Sequence, residues 1–99
     1  MKNPIENLNK PFDSRIRIGI MSALMVNASI NFNDLKELIN VTDGNLASHI
    51  KALEESGYIK VQKGFIGRKT NTLYSATRSG EKAFRTHLDA LEKMIKNMG

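Results

Sequence analysis

Asn45, Ala47, Ser48 and Lys51 lie close together in the chain and carry four kinds of contact chemistry. An asparagine amide donates and accepts, so it can pair in two places with the edge of an adenine. A serine hydroxyl does either, and a lysine ammonium reaches a guanine or a phosphate. An alanine methyl suits the methyl group of thymine. Gly44, just ahead of them, lets a backbone approach closely. A second group, Lys63, Arg68 and Lys69, surrounds a glycine-containing stretch and offers cations to phosphates or to a narrow minor groove. The plainer alternatives are a solvated helix face and a charged hairpin tip that only aids solubility. Against the first, this face is small and uncharged at its start, where surface helices carry long charged residues. Asp43 suits a helix N-terminus but repels phosphate. It is expected to stabilise the helix or to accept from a cytosine amino group.

Other chemistry has little support. The chain has two histidines, His49 and His87, and no cysteine, so disulfides and thiol chemistry are excluded. Two separate histidines without a carboxylate cluster do not make a metal site. His49 is expected to be partly buried and structural. No Ser/His/Asp arrangement, phosphate loop or carboxylate pair has a supporting context. Neither catalysis nor a cofactor is expected.

The elements that must position these groups follow from periodicity. Residues 1–12 are polar, hold Pro4 and Pro11, and read as an N-terminal arm to a domain over 13–99. Asp13 or Ser14 can cap a first helix to about Val26, with Ile16, Ile20 and Leu24 on one face. Ile18, Met21 and Met25 fall on other faces, so this helix should be buried from several sides, one of them supplied by a partner subunit. Ser29 to Phe32 suggests a short strand. Asn33 is expected to cap a second helix that turns Leu35, Leu38 and Ile39 inward. Thr42 caps the third, over about 43–56. There Leu46, Ile50 and Leu53 share a buried stripe while Gly44, Ser48, Lys51 and Glu55 face away. Gly57 fits the left-handed position after its end.

A strand from Tyr58 to Lys63 and its mate from Asn71 to Ala76 flank a turn, Gly64 to Thr70, whose two glycines can take positive φ. A last helix over about 77–97, capped by Thr77, carries Phe84, Leu88, Leu91, Ile95 and Met98 at 4-3-4-3 spacing, an a/d seam. The alternative is that this seam packs on its own domain; the helix looks too long for that, so dimerisation is favoured. The fold class is therefore α+β, mainly α. Its order of helix, strand, helix, helix, strand, wing, strand, helix outlines a winged helix-turn-helix, with the wing at about 63–71.

Ninety-nine residues suffice for one domain with a real core. There is no apolar run near the roughly 18 residues of a membrane span, and the start has no apolar signal-peptide core. A cytoplasmic location is the expectation. The net charge is +5, and residues 44–85 hold all of that excess, with eight Lys/Arg against three Asp/Glu. Concentrated positive charge is what a polyanion binder shows.

Against this background the segment FNDLKELINVTDGNLASHIKALEESGYIKVQKGFIGRK, followed by TLYSATRSGEKAF, resembles the small winged-helix transcriptional regulators of the MarR/ArsR-like superfamily. Gly-Asn-Leu, Ser-His-Ile and Ser-Gly-Tyr-Ile carry the likeness, as do the wing Lys-Gly-Phe-x-Gly-Arg-Lys and the helix start Thr-x-x-Gly-x-x-Ala. It spans about residues 12–92. The resemblance implies a homodimer on a pseudo-palindromic operator in double-stranded DNA, joined through the first and last helices. It places recognition on Asn45, Ala47, Ser48 and Lys51, and wing contacts on Arg68 and Lys69. The metal sensing of some relatives is not implied, since the chain lacks their ligands. The residues say nothing of an effector. Thr42, Gly44 and Lys63 complete the expected DNA face; Ile18, Met21, Met25, Phe84, Leu88, Leu91, Ile95 and Met98 form the expected dimer face. The competing expectation is a winged-helix module that binds protein, motivated by Phe65 and Ile66 at the wing.

Overall fold

The computed structural model describes residues 4–98, with side chains over 5–96. Two 3-10 turns, Pro4–Asn7 and Lys10–Phe12, lead into α1 (Arg15–Val26). Then come β1 (Ile30–Asn31), α2 (Phe32–Ile39), α3 (Asp43–Glu55), β2 (Ile59–Ile66), β3 (Lys69–Ala76) and α4 (Arg78–Met98). The sheet is antiparallel in the order β1-β3-β2. Helices and sheet thus follow the winged-helix order.

The caps explain where the helices begin. Ser14 caps α1, its Oγ accepting the Arg17 N–H. Thr42 Oγ1 accepts the Asn45 N–H at 3.2 Å. Thr77 Oγ1 accepts the Gly80 N–H at 2.9 Å and donates to the Gly57 carbonyl at 2.6 Å, tying the start of α4 to the end of α3. The close approach requires Gly80, because a Cβ there would collide with the Tyr58 carbonyl. The cap of α2 differs from expectation: Asn31, not Asn33, accepts the Asp34 N–H. The helix starts two residues early because Asn31 holds the extended φ/ψ that a cap needs. Leu38, expected to face inward, is exposed, while Leu35 is fully buried and Ile39 half-buried.

The core gathers Ile20, Met21 and Leu24 of α1, Leu35 of α2, Leu46, Ile50 and Leu53 of α3, Ile59 and Tyr74 of the sheet, and Phe84 of α4. Phe12 joins them at 1% exposure, with its ring 5.2 Å from Tyr58 and 5.4 Å from Phe84. The stretch expected as a polar arm therefore docks on the domain. Asn9 extends that contact: its N–H donates to His87 Nδ1 and its side-chain amide to the Tyr58 hydroxyl. Residues 4–12 lie along α4 and cover part of the helix that looked too long for one chain.

Two expected dimer residues are corrected here. Met21 is fully buried and Phe84 nearly so, both inside a single chain, so neither can touch a partner. The chain's own α2, α3, α4 and β3 pack against α1 and enclose Met21. Along α4 the inward residues are Gly80, Phe84, His87 and Ala90, with Leu91 and Met94 half-buried. Leu88 and Ile95 remain exposed, Ile18 and Met25 half-buried. The side chain of Met98 lies outside the described residues.

The hairpin also departs from the expected seven-residue loop. Pairing runs unbroken from Ile59↔Ala76 to Ile66↔Lys69, leaving Gly67 and Arg68 as a two-residue turn. Gly67 has φ +63°, which a turn of this kind favours at its first central position. Gly64 lies within β2 and is not among the glycines with positive φ. The wing is thus a β-ribbon, not a loop.

Candidate nucleic-acid interface

Helix α3 is fixed at both ends. At its start the Thr42 cap is joined by Asp43, whose carboxylate favours the positive end of the helix dipole. Lys36 of α2 reaches across the turn to Asp43 at 2.7 Å. That pair offsets the negative charge which would face a phosphate. At its end the Tyr58 N–H donates to the Leu53 carbonyl at 3.0 Å and the Gly57 N–H to the Glu54 carbonyl at 2.9 Å. With Gly57 at φ +79° this is a Schellman closure.

Between the ends the helix divides by periodicity. Leu46 and Leu53 are fully buried and Ile50 is 5% exposed. Thr42, Gly44, Asn45, Ala47, Ser48 and Lys51 are all exposed. The expected contact residues of the helix therefore stand together on its outer side. Beyond the Thr42 cap bond, none of their side chains is engaged in a hydrogen bond or ion pair within the described residues.

His49 sits at the edge of the buried stripe, as its position predicts. Its Nδ1 accepts from Arg17 Nε at 2.9 Å, and Arg17 Nη1 donates to the Pro11 carbonyl at 3.2 Å. Desolvation first, and the Arg17 cation second, lower the His49 pKa below its usual value. Both effects favour the neutral ring, with its proton on Nε2. His87 is 3% exposed and also accepts at Nδ1, beside the Phe12 ring. Among the described residues no three His, Asp or Glu side chains come close enough to hold a metal ion.

The wing cations are exposed but do not share one surface. Lys63 faces the same side of the ribbon as Val61 and Tyr74, which pack on the core; Lys69 pairs with Ile66 on the other side. Arg68 lies at the apex. None of the three forms an ion pair among the described residues. No acidic residue occurs between Glu55 and Glu81, whereas Lys60, Lys63, Arg68, Lys69 and Arg78 do. The start of α4 adds exposed Lys82 and Arg85. A nearly neutral helix face is thus bordered by a ribbon of one sign.

Two residues that shape this surface, Lys36 and Arg17, give no signal in the sequence. Both act on α3 from other elements, across a turn and from α1, so no local spacing reveals them. Among the described residues no helix is long and apolar enough to cross a membrane.

Comparison with known proteins agrees with the geometry. An uncharacterized protein of Methanocaldococcus jannaschii is 36% identical over 89 residues, covering 90% of this chain and 97% of that protein. The structure of a transcriptional regulator homologue from Pyrococcus horikoshii superposes with a TM-score of 0.78 at 30% identity, covering 94% of this chain and 97% of that one. A MarR-family protein from Porphyromonas gingivalis shares the fold, with a TM-score of 0.69, 23% identity and coverage of 88% and 80%. The family model described as a winged helix DNA-binding domain matches residues 16–95. With that match over most of its length, and with four helices, a ribbon wing and a three-stranded sheet, the chain belongs to the winged helix DNA-binding domain family.

Proposed function

We propose that the protein is a homodimeric, sequence-specific transcriptional regulator that binds double-stranded DNA in the cytoplasm. Helix α3 enters the major groove and the wing lies at the neighbouring minor groove. The observation that carries this reading is the division of α3 into a sealed apolar stripe and an unengaged polar face. A helix fits the major groove, and residues near its N-terminus reach base edges best. Asn45, Ala47 and Ser48 lie in that part; Lys51, further along, is placed for a base or a phosphate. Lys63, Arg68 and Lys69 supply phosphate attraction. The regulator homologue of Pyrococcus horikoshii supports the assignment of role.

The dimer rests on what one chain leaves open. Leu88 and Ile95 project from α4 at 42% and 74% exposure, beside half-buried Leu91. Ile18 and Met25 supply the α1 side. A two-fold dimer presents two α3 helices to half-sites about 34–36 Å apart on one face of the duplex.

Selection of bound duplexes from a random pool tests both claims. A two-fold symmetric motif, bound more weakly as salt rises, is the expected result. Failure to enrich any duplex would overturn the DNA reading, and a monomeric mass in solution and on DNA would overturn the dimer.

A further inference from the structure

The side chains of Phe65 and Ile66 do not pack on the core. They are 75% and 68% exposed, the largest apolar exposure in the hairpin. The unbroken strand register holds them at the tip, so neither folds back onto the core. We infer that the wing tip is an apolar wedge, with Phe65 as its point: Phe65 enters the minor groove and partly opens one base step, while Ile66 stands on the opposite face of the ribbon. This inference rests on the DNA-binding reading above and deepens it, because it makes the ease of opening a base step part of operator choice.

Charge selects the occupant. The tip sits within a stretch that has five cations and no acid, and none of those cations is neutralised by an ion pair among the described residues. An apolar point inside an unbroken positive collar matches a polyanion that also offers flat apolar surfaces. Stacked bases between two phosphate strands have that form.

The reach also fits. Val61 is the last β2 side chain packed on the core. Phe65 lies four residues further out, about 13 Å at the usual strand rise. The minor groove is about 7.5 Å deep. A ribbon of two strands about 4.8 Å apart, with its side chains, is too broad for a groove about 6 Å wide. Side chains, not the whole ribbon, would enter. Phe65 shares its face with Lys63 and with the core-packed Val61, so it points to the side on which α3 lies. Lys63, two residues below it, is placed for a phosphate bordering the opened step. Insertion of an apolar side chain between base pairs unstacks and kinks a duplex. Pyrimidine–purine steps yield most readily, so the operator should carry one where each wing falls.

The test uses the full chain and duplexes enriched from a random pool, with 2-aminopurine placed in turn at each step beneath the wing. In the wild type its fluorescence should rise at one step per half-site. Phe65→Ala should abolish that rise, lose the pyrimidine–purine preference and weaken binding about tenfold, with the salt dependence unchanged. Phe65→Leu should keep much of the signal, as an apolar wedge requires. Arg68→Ala should reduce the salt dependence and leave the fluorescence in place. If the wild type binds an enriched duplex but Phe65→Ala alters neither signal, preference nor affinity, the wedge is wrong and the DNA reading stands. If no duplex is enriched, the DNA reading itself fails and the wedge with it. Two further results would overturn the wedge by assigning the tip elsewhere: Phe65-dependent flotation with phosphatidylserine vesicles, or a stoichiometric Phe65-dependent protein complex, each with a silent 2-aminopurine signal.

Discussion

Helix α3 and the tip of the β2–β3 hairpin, the two parts of the proposed DNA surface, are built on opposite terms. The helix is locked: three apolar side chains sealed in the core, a cap at each end, and ties to Lys36 and Arg17 from neighbouring elements. Among the described residues, the tip beyond Val61 has a ladder of backbone hydrogen bonds and a glycine turn, and no β2 side chain there is in the core. The exposed helix face carries both signs, with Asp43, Lys51 and Glu55; the ribbon carries only positive charge. Discrimination between bases needs groups held within narrow limits, whereas attraction to phosphates tolerates movement. In the proposed reading, this difference in support separates a helix that reads base edges from a ribbon that holds the duplex and senses how readily a base step opens.

The largest effect should separate the two regions by stability. Leu53→Ala removes a fully buried side chain at the centre of the core and should cost about 2–5 kcal/mol, depending on how far the site collapses. Phe65→Ala, at an exposed tip, should change stability by no more than about 0.5 kcal/mol. Urea unfolding of both variants measures the contrast. An equal loss in Phe65→Ala would mean that the tip packs on the body and that the two regions are not distinct.

How far each region could be read from the sequence follows the same division. The stripe Leu46, Ile50 and Leu53 repeats at helical spacing, and Thr42 and Gly57 mark its ends, so local signals agree with the fold. The wing strands were legible, but their length was not. Gly64 and Gly67 look alike in sequence, and only strand pairing shows that just Gly67 turns. Phe12 stands alone among polar neighbours, so periodicity gives it no partner, although an aromatic beside Pro11 in a polar stretch is a hint of docking. Met21 and Phe84 fit an outward seam as well as an inward one, because periodicity gives a face and not what covers it. Lys36 and Arg17 act across elements, and tertiary contact alone reveals them.

The next effects concern DNA and fall differently on the two regions. Asn45→Ala removes a directional pair from the helix face and should cost about 1–3 kcal/mol of discrimination at one operator position, relaxing the preference there. Arg68→Ala should instead weaken binding to all duplexes alike and lower the salt slope by about one. Competition assays with single-position operator variants, repeated across a salt series, read both quantities. If Arg68→Ala also relaxes preference at one base pair, the wing reads bases as well, and the division fails on that side.

A smaller effect tests the start of the helix. Thr42→Ala removes the oxygen that accepts the Asn45 N–H and should cost about 1 kcal/mol, a typical value for a lost cap. Because Asn45 sits at the capped turn, the variant should also loosen discrimination at the position that Asn45 reads. Urea unfolding and the same competition assay check the two parts. Loss of stability with unchanged discrimination would show that the cap holds the helix without positioning its contacts.

The smallest effect concerns the tie between α3 and α1. His49 accepts the Arg17 bond through a bare Nδ1, and desolvation together with the Arg17 cation lowers its pKa from the usual 6.5. The unfolded chain therefore binds the proton more readily than the folded one. The His49 contribution to stability is complete above about pH 6.5, the unfolded value, and is lost as pH falls through the depressed folded value. The ring is only partly covered, so solvent keeps the change small. His49→Gln keeps an oxygen for Arg17 but cannot take up a proton. Its urea midpoint should vary less than that of the wild type between neutral and mildly acidic pH. The same comparison on DNA asks whether the tie positions the reading face. Discrimination by the wild type should weaken in that acidic window while discrimination by His49→Gln holds. An identical pH profile in both proteins would assign the dependence to another group and leave the Arg17 contact without a part in recognition.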